Sequence, residues 1–277
     1  MLSRIVRFIG DSHLFIALCG VSLAALTPYL HGINLGDFHY FSFLFIGVLL
    51  IYNVQVLRIF GVSLVKGKKF KVKIWQAFLF VLGMLWCSFS WILFPLNVQI
   101  ILILLFGLSI LYYIPFFGKS ASKLALKQIA GVKVALIAIV WATCTAVIPL
   151  ILMGDKLDNT HYLFIAERFI FLFALAIPFD FRDYAEDIEA KVPTFPVLIG
   201  KDKSVKMSIL IMALFGLVVL LNPFNSDYKF ALLLSAAISI VAIYFSKNQK
   251  NGLYFHYVVD GMMLLQVALV FELTILK

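Results

Sequence analysis

The sequence predicts an all-α integral membrane protein, with nine transmembrane helices around a central chamber. Three observations carry this expectation. The 277 residues are 63% hydrophobic and 13% charged, with mean hydropathy +1.04, whereas a soluble domain is about 45–50% apolar and ~25% charged. Nine apolar segments follow one another, each close to the ~20 residues needed to cross a bilayer. Polar side chains inside those segments collect at one depth, which calls for a cavity rather than lipid around them.

The segments can be taken in order. The start, MLSRIVRF, carries Arg4 and Arg7 and leads into segment 13–30. No small-residue cleavage site follows it and eight more segments do, so it reads as a retained helix rather than a signal peptide. Segment 41–61 runs into a basic loop of Lys66, Lys68, Lys69, Lys71 and Lys73. Segments 74–94 and 98–116 are divided at Pro95, and Pro115 closes the second of them before Lys119, Lys123 and Lys127. Segment 129–153 ends at Gly154, and segment 162–180 exits into an acidic stretch. Segments 205–222 and 229–246 are divided at Pro223, and 254–275 follows Gly252. Pro and Gly at these joins are the expected breakers. No linker and no gap wide enough for a soluble domain appears, so residues 1–277 are expected to form a single nine-helix transmembrane domain.

Charge sets the orientation. With a cytoplasmic N-terminus, 17 of the 23 Lys and Arg face the cytoplasm, three face the other side and three lie inside segments. That bias follows the positive-inside rule and puts the C-terminus outside. The net charge of +9 is therefore a topology signal, and no nucleic acid partner is expected. Cys19, Cys87 and Cys144 all sit within apolar segments, odd in number and without a CxxC, so neither a disulfide nor a thiolate metal site is expected.

An ionisable group within a span costs about 2.5–3.5 kcal/mol on insertion scales and marks a candidate site. Asn53 and Arg58 fall in the inner half of the second span, Lys133 near the inner end of the fifth, Asp180 at the inner end of the sixth, and Asp260 in the inner half of the ninth. Five polar side chains from four helices thus share one depth and point to a cavity open to the cytoplasm. Each has a plainer alternative. Arg58 and Lys133 could snorkel to the interface, Asn53 could bond a neighbouring helix, and Asp260 could be a structural partner of one of the cations. Glu167 and Arg168 stand apart, toward the outer end of the sixth span, where a structural role is expected.

Residues 178–203 read PFDFRDYAEDIEAKVPTFPVLIGKDK. If the helix continues past Asp180, Asp183 and Asp187 share a face about 6 Å apart along the axis. Two carboxylates so spaced can hold Mg²⁺, which takes hard oxygen ligands and bridges to phosphates; a solvated acidic helix end has the same bare pattern. The context is more specific. Arg182, Asp183, Asp187, Thr194, Pro196, Val197 and Gly200 resemble the second aspartate-rich motif of the UbiA superfamily of intramembrane prenyltransferases. The likeness is closest to the branch with an R-D-x-x-x-D core.

That resemblance implies a nine-helix fold with a cytoplasm-facing chamber, in a cell membrane of the bacterial inner-membrane kind. It implies Mg²⁺ on Asp183 and Asp187, with Asp180 assisting these two in catalysis. It also implies a polyprenyl diphosphate donor and an aromatic, quinone-precursor-like acceptor drawn from the lipid phase. Diphosphate contacts would come from Asn53, Arg58, Lys68, Lys69, Tyr113, Lys119, Lys127, Lys133 and Arg182. The family's first aspartate motif is degenerate here: Asn53 matches, while Val54, Leu57 and Gly61 stand where aspartates are usual. Three alternatives therefore stay open: a cyclase or other diphosphate-ionising enzyme on the same scaffold, a non-catalytic lipid-binding member, and a transporter. The last lacks the paired broken helices in two matching halves that such proteins show.

Overall fold

The computed structural model describes residues 12–32, 38–53, 74–113, 129, 131–154, 156–249 and 251–275. Its long helices are α1 (Leu14–Leu30), α2 (Phe38–Tyr52), α3 (Ile74–Leu93), α4 (Leu96–Tyr113), α5 (Val132–Leu152), α6 (Asn159–Arg182), α9 (Lys201–Leu221), α10 (Ser226–Ser246) and α11 (Gly252–Thr274). Two short helices, α7 (Tyr184–Glu189) and α8 (Phe195–Ile199), lie between α6 and α9. Among the described residues six helices are long and apolar enough to cross a membrane, and three shorter apolar ones, Leu14–Leu30, Phe38–Tyr52 and Leu96–Ser109, stand where the other spans are expected.

Helix α6 begins three residues before the hydropathy signal, and its cap explains why. Asp158 Oδ1 accepts from the backbone N–H of Thr160 at 2.9 Å and of His161 at 3.0 Å. The cap satisfies amides that polar residues 159–161 would otherwise leave open.

Helix α6 packs on α5 and α9, α9 on α10, α10 on α11, α11 on α1, and α1 back on α5. This closes a circuit of six helices. Helix α2 lies against α1, and α3 against α2. One apolar core runs through the circuit, from Ile16 through Phe171 and Phe215 to Val270. Hydroxyls stitch it: buried Ser208 Oγ donates to Ala174 O at 2.7 Å, and half-buried Tyr29 and Thr274 share a hydrogen bond of 2.9 Å.

Helix α5 contains a π-helical turn, Thr143–Val147. Pro149 has no N–H, so carbonyls one turn earlier lose their donor. Two hydroxyls from other helices replace it. Thr27 Oγ1 donates to Thr145 O at 2.7 Å, and the Tyr40 hydroxyl donates to Cys144 O. A defect in one helix thus becomes the joint that fixes α1 and α2 to it.

Helices α1 and α5 also meet at Gly20, where a Cβ would overlap the Trp141 ring. Gly20→Ala is expected to cost about 1–3 kcal/mol by overpacking. A thermal melt in detergent checks this, and Trp141→Leu should recover most of the loss.

A cluster of acids and bases at one end of the bundle

Gly131, at φ +71°, precedes α5 in a conformation that glycine adopts freely. It puts Lys133 on the helix's first turn. On α6, Pro178 opens a separate last turn, Phe179–Arg182, which carries Asp180. The helical path breaks at Asp183 (φ −90°, ψ 3°) and resumes as α7 with Asp187 on it. Lys191, at φ +54°, then closes α7, with Val192 N donating to Asp187 O at 2.8 Å. This left-handed close is usual for a helix C-terminus.

These turns bring Lys133, Asp180 and Asp187 together. Lys133 Nζ lies 2.7 Å from Asp180 Oδ1 and 3.8 Å from Asp187 Oδ2. Asp180 is 1% exposed and Asp187 9%. Asp180 Oδ2 and Asp187 Oδ2 have no hydrogen-bond partner among the described residues. Burial pushes the Asp187 carboxyl above the usual aspartate range; Lys133 opposes that shift and Asp183 adds to it. Asp183 itself is held side-on by its neighbour, with Arg182 Nε donating to Oδ1 at 2.8 Å and Nη2 to Oδ2 at 3.1 Å. The Arg182 guanidinium sits over the Phe179 ring, 5.4 Å from its centroid.

Other expected residues gather at the same end. Asp260 is buried and follows the π-helical turn Phe255–Val259 in α11, near enough to feel the charge of Arg182. Asn53 ties the end of α2 to the start of α1, donating to Leu49 O at 2.9 Å and Ser12 O at 3.4 Å. Tyr113 ends α4. Arg58, Lys68, Lys69, Lys119 and Lys127 lie outside the described residues.

The sequence reading did not single out His13, Tyr52 and His256, which also stand here. The His13 ring is 5.1 Å from that of Tyr52 and 6.3 Å from that of His256. The signal was present: His13 and His256 fall at the inner termini of apolar segments, and Tyr52 adjoins Asn53.

Glu167 and Arg168 belong to a different network, in which both are 2% exposed. Glu167 accepts from Asn222 Nδ2 at 3.0 Å and from the Tyr228 hydroxyl at 2.9 Å. Arg168 Nη1 donates to Leu23 O at 2.8 Å. The network joins α1, α6, α10 and the C-terminal end of α9, and its residues bond one another rather than open space.

This architecture defines a class: a multi-pass membrane bundle with an acid–base cluster at one end, where an apolar interior meets charge. Residues 67–252 match the UbiA prenyltransferase family, and the chain belongs to that family. A solved structure, that of a UbiA homolog from Archaeoglobus fulgidus bound to GPP and Mg²⁺, superimposes with a TM-score of 0.57 at 12% identity, covering 95% of this chain and 99% of that one. At that identity the likeness speaks for the fold. No curated protein matches the chain.

Proposed function

We propose that this protein transfers a polyprenyl group from a prenyl diphosphate to an aromatic acceptor within the membrane. The observation that carries the reading is the meeting of Lys133, Asp180 and Asp187, with the Arg182–Asp183 pair beside them, at the end of an apolar bundle. Family membership and the GPP and Mg²⁺ bound by the Archaeoglobus fulgidus homolog support it.

The residues fit one Mg²⁺. The donors are hard carboxylate oxygens, and Asp187 offers one without a hydrogen-bond partner. Among the described residues no group of three metal-ligating side chains comes together, so oxygens from a substrate would complete the shell. Asp183 and Asp187 would hold the ion, which supplies charge neutralisation for the departing diphosphate when bound. Asp180 keeps Lys133 in place, and Lys133 and Arg182 add fixed positive charge that needs no reorganisation as the leaving group gains negative charge. The apolar interior excludes water from an allylic cation, and aromatic rings there stabilise it. With residues 1–277 as one transmembrane unit whose cluster faces the cytoplasm, the diphosphate enters from water and the prenyl tail and acceptor come from lipid.

The experiment is incubation of the purified protein with labelled geranylgeranyl or farnesyl diphosphate, Mg²⁺ and a panel of aromatic acceptors, followed by product analysis. Diphosphate release that requires an acceptor supports transfer. Release without one makes the protein a cyclase or other diphosphate-ionising enzyme. No release with any donor indicates a non-catalytic lipid-binding member, a reading favoured by one observation, the missing first-motif aspartates.

Arg58 offers a second test. If it grips the diphosphate, its guanidinium makes a two-point contact that lysine cannot reproduce. Arg58→Lys should weaken donor binding, and Arg58→Ala should cost about 2–4 kcal/mol if the residue also stabilises the leaving group. Equal donor affinity and turnover in all three proteins would return Arg58 to an interfacial role.

A further inference from the structure

We infer that Lys133 is a built-in cation that stands in for a divalent ion between Asp180 and Asp187, so that the protein holds a diphosphate with one metal ion. The inference rests on the reading of the chain as a diphosphate-binding protein and specifies how the charge is balanced.

Distance and charge carry it. An ion bridging Asp180 Oδ1 and Asp187 Oδ2 would sit about 2.0–2.1 Å from each oxygen. The ammonium is already 2.7 Å from the first and 3.8 Å from the second. A bridging ion would have to share Asp180 Oδ1 with that ammonium, and two cations on one carboxylate oxygen repel each other. Lys133 is fixed there by its position on the first turn of α5, and its side chain is 15% exposed. Among the described residues, the five side chains Asp180, Asp183, Asp187, Lys133 and Arg182 carry three carboxylates against two fixed cations. That leaves an excess of one negative charge, which a single divalent ion converts to an excess of one positive charge, suited to a diphosphate. Asp180, 1% exposed and paired with Lys133, is the positioning residue for that lysine. Of the three ammonium N–H groups, those not directed at Asp180 and Asp187 remain for the substrate.

The test counts ions on the full chain in detergent, using Mn²⁺ with inorganic pyrophosphate and reading free Mn²⁺ by electron paramagnetic resonance. Wild type should bind one Mn²⁺ per chain. Lys133→Met should bind two, because the Asp180–Asp187 gap opens, while Lys133→Arg should stay at one. Lys133→Met combined with Asp180→Asn, which removes both charges and guards against misfolding of the single variant, should also stay at one. Two ions in wild type, or one in a folded Lys133→Met protein, would overturn the inference. No binding of Mn²⁺ with pyrophosphate in wild type would overturn it together with the diphosphate reading. One ion in wild type and two in Lys133→Met, without turnover of any prenyl donor, would leave the inference standing and remove the transferase.

Discussion

Asp183→Ala is expected to lower prenyl transfer by about 10²–10³-fold, the scale of losing one preorganised electrostatic group, here through the proposed metal ion that neutralises the leaving diphosphate. Asp183 is held on both oxygens by Arg182, so the substitution removes the proposed metal ligand and also frees the guanidinium from its orientation. Asp187→Asn should lose activity on the same scale. The Asp187 side chain faces Lys133 and is buried, so its loss changes the charge of the site without exposing it to water. The measurement is kcat and KM for the labelled donor, at matched amounts of folded protein. Full activity in Asp183→Ala would show that the second aspartate motif is not the centre of the reaction.

Glu167→Ala is expected to destabilise the fold by about 3–5 kcal/mol, the range for breaking a buried ionic network by removing one member. Both carboxylate oxygens are engaged, so the variant leaves the Tyr228 hydroxyl and the Asn222 amide without the acceptor they have here, and removes the negative charge that acts on buried Arg168. Glu167→Gln keeps an acceptor for one of them and should lose less. Thermal unfolding in detergent checks both. Lys247→Ala provides the contrast: its bond to Asp202 joins two solvent-facing chains, and such exposed pairs contribute little. An unchanged melting temperature in Glu167→Ala would make the network dispensable.

Hydropathy made the fold legible because a lipid-facing helix must be apolar along its whole length. The cluster was legible for a related reason: Lys133, Asp180 and Asp260 are expensive at their depths, and expense at a shared depth implies a shared cavity. Periodicity could not supply the turn geometry. An unbroken helix would put Asp183 and Asp187 side by side; the break at Asp183 instead gives Asp183 to Arg182 and turns Asp187 toward Lys133. The partners of Glu167 were hidden for another reason. Asn222 and Tyr228 are ordinary at helix ends, and only the packing of α6 against α9 and α10 reveals them as acceptor-seeking groups.

The uneven burial of the helices has a consequence for how the chain enters the bilayer. Of the apolar stretch of α6, 56% is buried inside the protein, against 11% for that of α3. Helix α3 has no ionised residue from Ile74 to Leu93 and can partition from the translocation machinery into lipid by itself. Helix α6 carries Glu167, Arg168 and Asp180, each costly in an unshielded span. Its partners are divided by the order of synthesis: Leu23 and Lys133 precede it, while Asn222 and Tyr228 follow. Helix α6 therefore emerges with partners already made for Arg168 and Asp180 but not for Glu167, and its insertion is complete only when α9 and α10 arrive. Truncating the nascent chain before Asn222 should strand α6 at the membrane surface or hand it to a chaperone, whereas α3 in the same truncation remains inserted.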